Sequence, residues 1–213
     1  MKRIVIVDYG LGNLRSVFRG LEKSGAVPKI TADIDEISAA EGIVLPGVGA
    51  FRDGMEQLAA MRRAITDAAG SVPVLGICLG MQMLLEWSEE HGRHAGLGII
   101  PGTVRRFPRT RGYKIPHMGW NSLHIAVPDH PLMAGVGEGS YVYFVHSFYA
   151  DTSLSHTLHH PLHLPVRVSG YLRDGSRRPV PSRKERGGGA ADPWKFHRSR
   201  LGAGFPETNY LHR

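Results

Sequence analysis

Residues 74–82 read VLGICLGMQ, and this stretch decides how the rest of the sequence is interpreted. The apolar run 72–77 predicts a buried strand, and the apolar spacing after it predicts a helix over 79–90. Cys78 lies at the junction, with a glycine two positions away on each side. Glycines there permit a tight strand-to-helix turn, because a Cβ atom would clash, and such a turn presents a nucleophile.

The first N–H groups of the predicted helix, beginning with that of Leu79, are expected to point at the thiol of Cys78. They would favour the thiolate and could stabilise a developing oxyanion. The alternative is an inert buried cysteine, because most lone cysteines are of that kind. The two flanking glycines and the helix start favour the nucleophile.

The chain has 213 residues, enough for one domain with a proper hydrophobic core. Its single cysteine excludes an intramolecular disulfide and fits a reducing compartment. No apolar run approaches the length that spans a membrane, and the first residues lead into a predicted strand instead of a signal peptide. These features predict a cytoplasmic protein that does not bind membranes.

The net charge of +7 is distributed unevenly. Residues 1–151 contain 15 basic and 15 acidic side chains, whereas residues 152–213 contain 11 and 4. A nucleic-acid surface would be built into the folded domain, and a single-strand binder would interleave aromatic residues with its basic ones. We therefore expect the excess charge to be solvated and the protein not to bind nucleic acid.

The segment 152–213 also differs in composition, since it holds six of the 14 prolines and six of the 12 histidines. Such a stretch buries too little apolar surface to offset the entropy of ordering it. We expect one domain over 1–151 and an atypical basic tail over 152–213 that is disordered. The tail histidines (His156, His159, His160 and His163) could suggest a metal site, but flanking prolines and the lack of cysteine or acidic ligands favour chance composition.

Residues 1–151 alternate between strand and helix patterns, which predicts an α/β fold with a mainly parallel sheet flanked by helices. The strands are expected at 2–7, 27–30, 42–45 and 72–77, and the helices at 14–24, 55–69 and 79–90. Shorter segments at 103–107, 114–121 and 141–149 predict a smaller antiparallel portion. Loops at the carboxyl ends of parallel strands gather at one edge, so 8–13, 46–51 and Cys78 are expected to converge there.

Five motifs carry a family resemblance: GICLGMQ (76–82), PGVG (46–49), PHMGWN (116–121), YFVHS (143–147) and DYGLGN (8–13). The first resembles the nucleophile elbow of class I, triad-type glutamine amidotransferases. The set, in order and spacing, resembles the glutaminase subunit of imidazole glycerol phosphate synthase, an enzyme of histidine biosynthesis. The match covers roughly residues 1–151.

The resemblance implies that the Cys78 thiolate attacks the side-chain amide of glutamine and releases ammonia. Ammonia would pass to a partner, a cyclase subunit with a (β/α)₈ barrel, which forms imidazole glycerol phosphate and an aminoimidazole carboxamide ribonucleotide. It also implies roles for other residues: oxyanion binding by the N–H groups of Val48 and Leu79, glutamine binding by Gln82, His146, Ser147 and Phe148, and partner contact by Asn13, Trp120 and Asn121. No cofactor and no metal are implied.

The sequence departs from the family pattern at the general base. A His-Pro-Glu motif near the C-terminus supplies the base and its orienting carboxylate in the family, and this chain has none. The nearest partial match is Phe196-His197, and Glu207 is at the wrong spacing. A reading-frame shift near residue 151 is the favoured explanation, and a divergent native tail is the alternative.

Other interpretations stay open. A catalytically inactive protein that still docks on the cyclase would fit the missing motif, and another class I glutaminase, for pyridoxal phosphate or tryptophan synthesis, is disfavoured by 116–121. His117 and His146 could be ordinary strand histidines, with His146 the better candidate for the site. Residues 8–13 resemble a phosphate loop only superficially, because they lack a third glycine at dinucleotide spacing and a P-loop lysine.

Overall fold

The computed structural model of the chain describes residues 3–109, 114–123, 125, 128 and 133–152. The expectations about residues 153–213, including the histidine cluster and the reading-frame shift, lie outside the described residues. Among those described, no helix is both long and apolar enough to cross a bilayer.

The first sheet has four parallel strands in the order β2-β1-β3-β4. They are β1 (Arg3–Val7), β2 (Val27–Thr31), β3 (Gly42–Gly47) and β4 (Val74–Cys78). The helices are α1 (Leu14–Lys23), α2 (Ile34–Ser38), α3 (Phe51–Gln57), α4 (Arg62–Ala69) and α5 (Leu79–Met83), with a 3₁₀ turn at Ala59–Met61.

Both faces of this sheet are covered by apolar packing, as expected for strands without a polar side. Ile43 belongs to a buried cluster with Phe51 and Ile65, and Ile6 belongs to a second cluster with Leu21. The predicted α/β fold with a mainly parallel sheet flanked by helices is confirmed.

The second sheet is mainly antiparallel, in the order β10-β7-β5-β6. Its strands are β5 (Leu85–Ser88), β6 (His94–Ala95), β7 (Ile100–Arg106) and β10 (Phe148–Asp151). A separate hairpin pairs β8 (His117–Ser122) with β9 (Tyr141–His146). The predicted smaller antiparallel portion is therefore present.

The predicted helix over 79–90 is wrong beyond Met83. Residues 85–88 form β5 instead, with Leu85 1% and Ser88 0% exposed. The carbonyl of Met83 accepts a hydrogen bond from the N–H of Leu97. Strand pairing with β6 and β7 satisfies the backbone of this short segment and buries it, which outweighs its helical spacing.

Two other predicted elements are divided. The helix expected over 55–69 is broken by the 3₁₀ turn at Ala59–Met61, and the strand expected over 141–149 is interrupted at Ser147. As a result, the two parts of this segment pair with different strands: β9 pairs with β8 in the hairpin, and β10 pairs with β7 in the second sheet.

Candidate active site

Cys78 is the last residue of β4 and directly precedes α5. Its φ of 54° and ψ of −114° lie in a region that residues with a Cβ rarely adopt. In the parallel register of β3 and β4, Cys78 lies opposite Gly47. The sharp strand-to-helix turn is thus present, and it brings the thiol to the start of the loop that follows β3.

The two flanking glycines are required by close packing. A Cβ atom on Gly80 would collide with the carbonyl oxygen of Leu45, and one on Gly76 would come within 2.7 Å of the nitrogen of Met81. Both contacts are with backbone, which cannot rotate away. The spacing that suggested an elbow in the sequence therefore has a steric cause in the structure.

Replacing Gly80 with alanine is expected to lower the free energy of unfolding by about 3 kcal/mol, because β3 and α5 must separate to admit a methyl group. Urea unfolding midpoints measure the effect. Gly70→Ala is the matched control: its Cβ would lie 3.5 Å from the nearest neighbour at an ordinary φ of −71°. An equal loss in both variants would contradict the steric explanation.

Cys78 is an exposed residue, and the N–H of Leu79 donates a hydrogen bond to its thiol. Burial against the protein nevertheless raises the pKa of Cys78 and outweighs this hydrogen bond, which acts to lower it. The N–H of Leu79 thus favours the thiolate, as expected, but burial has the larger effect on the pKa. The donor is in place, but a base is needed to take the proton at neutral pH.

The loop 46–50, which begins with the last two residues of β3, lies beside Cys78 through the pairing of Gly47 with Cys78. Val48 is 52% exposed, and Gly49 has a φ of 99° with open space where a Cβ would be. The loop therefore has room to present a backbone N–H to a substrate carbonyl near the thiol. The second predicted oxyanion donor is the N–H of Leu79, and this group already faces the sulfur of Cys78.

Two residues that the sequence did not single out hold this loop. The carboxylate of Glu90 accepts a hydrogen bond of 2.7 Å from the N–H of Phe51, where α3 begins. The hydroxyl of Tyr9 donates one of 2.6 Å to the carbonyl of Pro46, at the other end of the loop. Both bonds join residues 37 to 39 positions apart, so no local pattern could reveal them.

The predicted glutamine-binding residues are only partly brought together. Gln82 is half-buried on α5, and Phe148 packs against the buried cluster that contains Leu79. Ser147 lies half-buried between β9 and β10. Among the described residues, no hydrogen bond joins His146 to Cys78, so a direct role of His146 in glutamine binding stays a prediction.

His146 instead organises the strand junction. Its Nδ1 lies 2.9 Å from the carbonyl oxygen of Phe148, and its Nε2 lies 3.3 Å from Nδ1 of His117. Because a carbonyl only accepts, His146 carries its proton on Nδ1 and its Nε2 accepts from His117. Burial lowers the pKa of both imidazoles, and the neighbouring His146 lowers that of His117 further. Both rings are therefore neutral at pH 7.

The predicted partner-contact residues lie on two elements. Asn13 caps α1, with its side-chain oxygen 3.3 Å from the N–H of Ser16, at the edge where the parallel strands end. Trp120 and Asn121 lie on β8, and the Trp120 ring meets Tyr143 edge-on at 5.7 Å. Within the described part of the chain, the hydrogen bonds and ring contacts of these residues do not reach Cys78, which suits a role at a surface.

His197, the partial match to a general base, and Glu207 lie outside the described residues. Within the described part of the chain, no group of three histidine, cysteine, aspartate or glutamate side chains could hold a metal ion.

Comparison with known proteins identifies the family. The profile of "Glutamine amidotransferase class-I" matches residues 5–164. "Imidazole glycerol phosphate synthase subunit HisH" of Methanosarcina mazei is 54% identical over 159 residues, covering 74% of this chain and 78% of that protein. The HisH subunit of Natronomonas pharaonis is 51% identical over 176 residues, covering 78% of this chain and 80% of its own length.

A solved structure, "Crystal structure of glutamine amidotransferase", shares the fold with a TM-score of 0.53 at 16% identity, covering 68% of this chain and 72% of that one. These matches confirm the resemblance drawn from the five motifs. The chain therefore belongs to the class I glutamine amidotransferases, among the HisH subunits of imidazole glycerol phosphate synthase.

Proposed function

We propose that the chain hydrolyses glutamine at Cys78 and delivers the ammonia to a cyclase partner in histidine biosynthesis. The observation that carries this is the position of the thiol, at a strained strand-to-helix turn directly beside the loop 46–50. A nucleophile and two sources of backbone donors meet there, which is the arrangement that acyl transfer requires.

The reaction follows from these groups. The sulfur of Cys78 attacks the amide carbon, and the carbonyl oxygen becomes an oxyanion held by the N–H groups of Leu79 and Val48. The carbon–nitrogen bond then breaks, the nitrogen takes a proton and leaves as ammonia, and a thioester remains. Water attacks the thioester, releasing glutamate and restoring the thiol. Gln82, His146, Ser147 and Phe148 stay the candidates for holding the substrate.

A base must deprotonate the thiol, because burial raises the pKa of Cys78. We infer that the native reading of the gene supplies it through a His-Pro-Glu motif beyond residue 151. If the chain as written is the native one, it is instead a docking protein without hydrolytic activity. Glutamate release in the presence of the cyclase and its nucleotide ligand separates the two, since a docking protein releases no more than a Cys78→Ala variant.

The partner surface is one face of the β8–β9 hairpin. In the antiparallel register, Met118 lies opposite Val145 and Trp120 opposite Tyr143. All four are exposed, from 41% for Trp120 to 62% for Met118. A contiguous exposed apolar face of this kind marks an interaction site. We assign it to the cyclase, with Asn13 as a polar contact. Asn121 follows Trp120 along β8 and lies on the other face of the hairpin, so its partner contact would be made apart from this apolar face.

The complete enzyme is then a heterodimer, a hydrolase at this subunit and a lyase at the other. The single cysteine of the chain suits a cytoplasmic setting, because a reactive thiol survives in a reducing compartment.

Replacing Trp120 with alanine is expected to raise the Kd for the cyclase about 30-fold, because a tryptophan at the centre of an apolar interface typically contributes about 2 kcal/mol. Calorimetric titration with purified cyclase measures it. Trp87→Ala is the matched control, since Trp87 is similarly exposed at 37% but lies on β5 in the second sheet. If the Trp120 variant bound the cyclase with unchanged affinity, the cyclase would bind a different surface of the chain.

A further inference from the structure

Tyr9 is a buried tyrosine under the active site. It follows β1 and is 3% exposed, and its hydroxyl donates a hydrogen bond of 2.6 Å to the carbonyl oxygen of Pro46. Pro46 is the first residue of the loop 46–50, immediately before Gly47, which pairs with Cys78. A hydroxyl from the segment after β1 thus holds the backbone of the neighbouring strand β3 at the point where the loop 46–50 begins.

The contact is tightly enclosed. A Cβ atom on Gly47 would collide with the Tyr9 hydroxyl and would come within 2.8 Å of the Gly80 nitrogen and 3.0 Å of the Leu79 Cβ. Gly47 is therefore wedged between the tyrosine and the start of α5. A displacement of the Pro46–Gly47 peptide would shift the turn at Cys78, because Tyr9, Gly47 and the start of α5 pack without free space between them.

The phenol of Tyr9 acts only as a donor. Burial raises its pKa, and the negative charge that Cys78 carries as a thiolate raises it further, so the hydroxyl stays protonated throughout the range in which the enzyme works. Its proton is directed at the Pro46 carbonyl. It is therefore unsuited to take the proton of the Cys78 thiol, and its contribution is geometric.

We propose that Tyr9 is a positioning residue for the oxyanion site: by holding the Pro46 carbonyl, its hydroxyl fixes the Pro46–Gly47 peptide and, through Gly47, the adjoining peptide that carries the Val48 N–H beside Cys78. This rests on the proposed glutaminase function. Preorganised donors lower the barrier only where they stand in place before the charge develops. Loss of the hydroxyl would leave the donors present but less well placed.

The test uses the full chain bound to the cyclase and follows covalent labelling by intact mass, with Tyr9→Phe as the variant. One reagent is 6-diazo-5-oxo-L-norleucine, a glutamine analogue with a ketone where glutamine has its amide carbonyl. On this reagent the sulfur displaces N₂ from the terminal carbon after that carbon gains a proton. The other is methyl methanethiosulfonate, which has no carbonyl. Because Cys78 is the only cysteine, methanethiosulfonate labelling reports on it alone.

The Tyr9→Phe variant is expected to react with the diazo ketone about 10-fold more slowly, less than the 10²-fold or more that follows loss of an oxyanion donor itself. Its reaction with methanethiosulfonate, including the pH profile, should be unchanged. Ser24→Ala is the matched control, since Ser24 is 5% exposed and also donates a buried hydroxyl, to the carbonyl of Leu21, but at the end of α1. It should leave both rates unaltered.

Three outcomes would overturn the inference. Equal diazo-ketone rates in Tyr9→Phe and wild type would show that the hydroxyl positions nothing. A parallel fall with both reagents, together with a lower melting temperature, would show a general structural role. If wild type itself resists the diazo ketone while reacting with methanethiosulfonate, the proposed glutaminase function fails, and the inference about Tyr9 fails with it.

Discussion

In the chain whose reading frame is restored beyond codon 151, Cys78→Ser is expected to lower glutamate release in the cyclase complex by about 10⁴-fold or more, to the level of the background. The hydroxyl has nearly the shape of the thiol but a far higher pKa, so the attacking anion is lost while the turn at residue 78 is kept. Removal of a nucleophile that acts together with a base and an oxyanion site costs this order of magnitude in triad enzymes.

The measurement is glutamate production at saturating glutamine with the cyclase and its nucleotide ligand present. Affinity for the cyclase and the urea midpoint serve as controls, and both should match wild type because neither the β8–β9 hairpin nor the packing of Gly76 and Gly80 is altered. A variant that keeps more than about a hundredth of wild-type turnover would show that another group attacks the amide, contrary to the expectation for a covalent nucleophile.

Restoring the reading frame beyond codon 151 is expected to raise glutamine hydrolysis about 10⁴-fold relative to the chain as written. The reason is the general base: the thiol of Cys78 has a raised pKa, and a triad enzyme that loses its base loses about this much turnover.

The DNA sequence of the gene tests whether the reading frame shifts near codon 151. One of the other two frames downstream of codon 151 should encode a segment like Gln-Phe-His-Pro-Glu. The position of Phe196-His197 gives a second place to look. If Arg198 is encoded by CGG and Ser199 by AGC or AGT, one cytosine added after the His197 codon yields CCG-GAG, which is Pro-Glu. If none of these readings encodes the motif, the frame-shift explanation fails and the tail is native.

Expression of both forms then tests the consequence. The two chains share residues 1–151, so Cys78, the loop 46–50 and the β8–β9 hairpin are identical in both. Equal turnover of glutamine would mean that the base lies within the shared residues. His117 and His146 would then be the groups to replace first, because each lies on the hairpin as a neutral imidazole.

Much of the first sheet could be predicted from the sequence. β1, β3 and α1 appear close to their predicted positions because each is a run whose apolar pattern matches its final burial. β2 is also in place, although its Val27 is 56% exposed. β5 could not be predicted, since residues 85–88 have helical spacing and become a strand only when β6 and β7 offer backbone partners. The spacing of apolar residues indicates which side chains are buried. Whether a segment forms a strand also depends on pairing with segments that are distant in the chain.

The same division applies to the site. The amino-acid sequence by itself determined the tight turn at Cys78, the two glycines beside it and its convergence with the loop 46–51, because a tight turn needs particular residue types at fixed spacing. Only the tertiary structure decided that burial raises the pKa of the Cys78 thiol, that Glu90 and Tyr9 hold the two ends of the loop, and that His146 bonds to His117. These depend on desolvation and on hydrogen bonds between residues far apart in sequence, which exist only once the chain has folded.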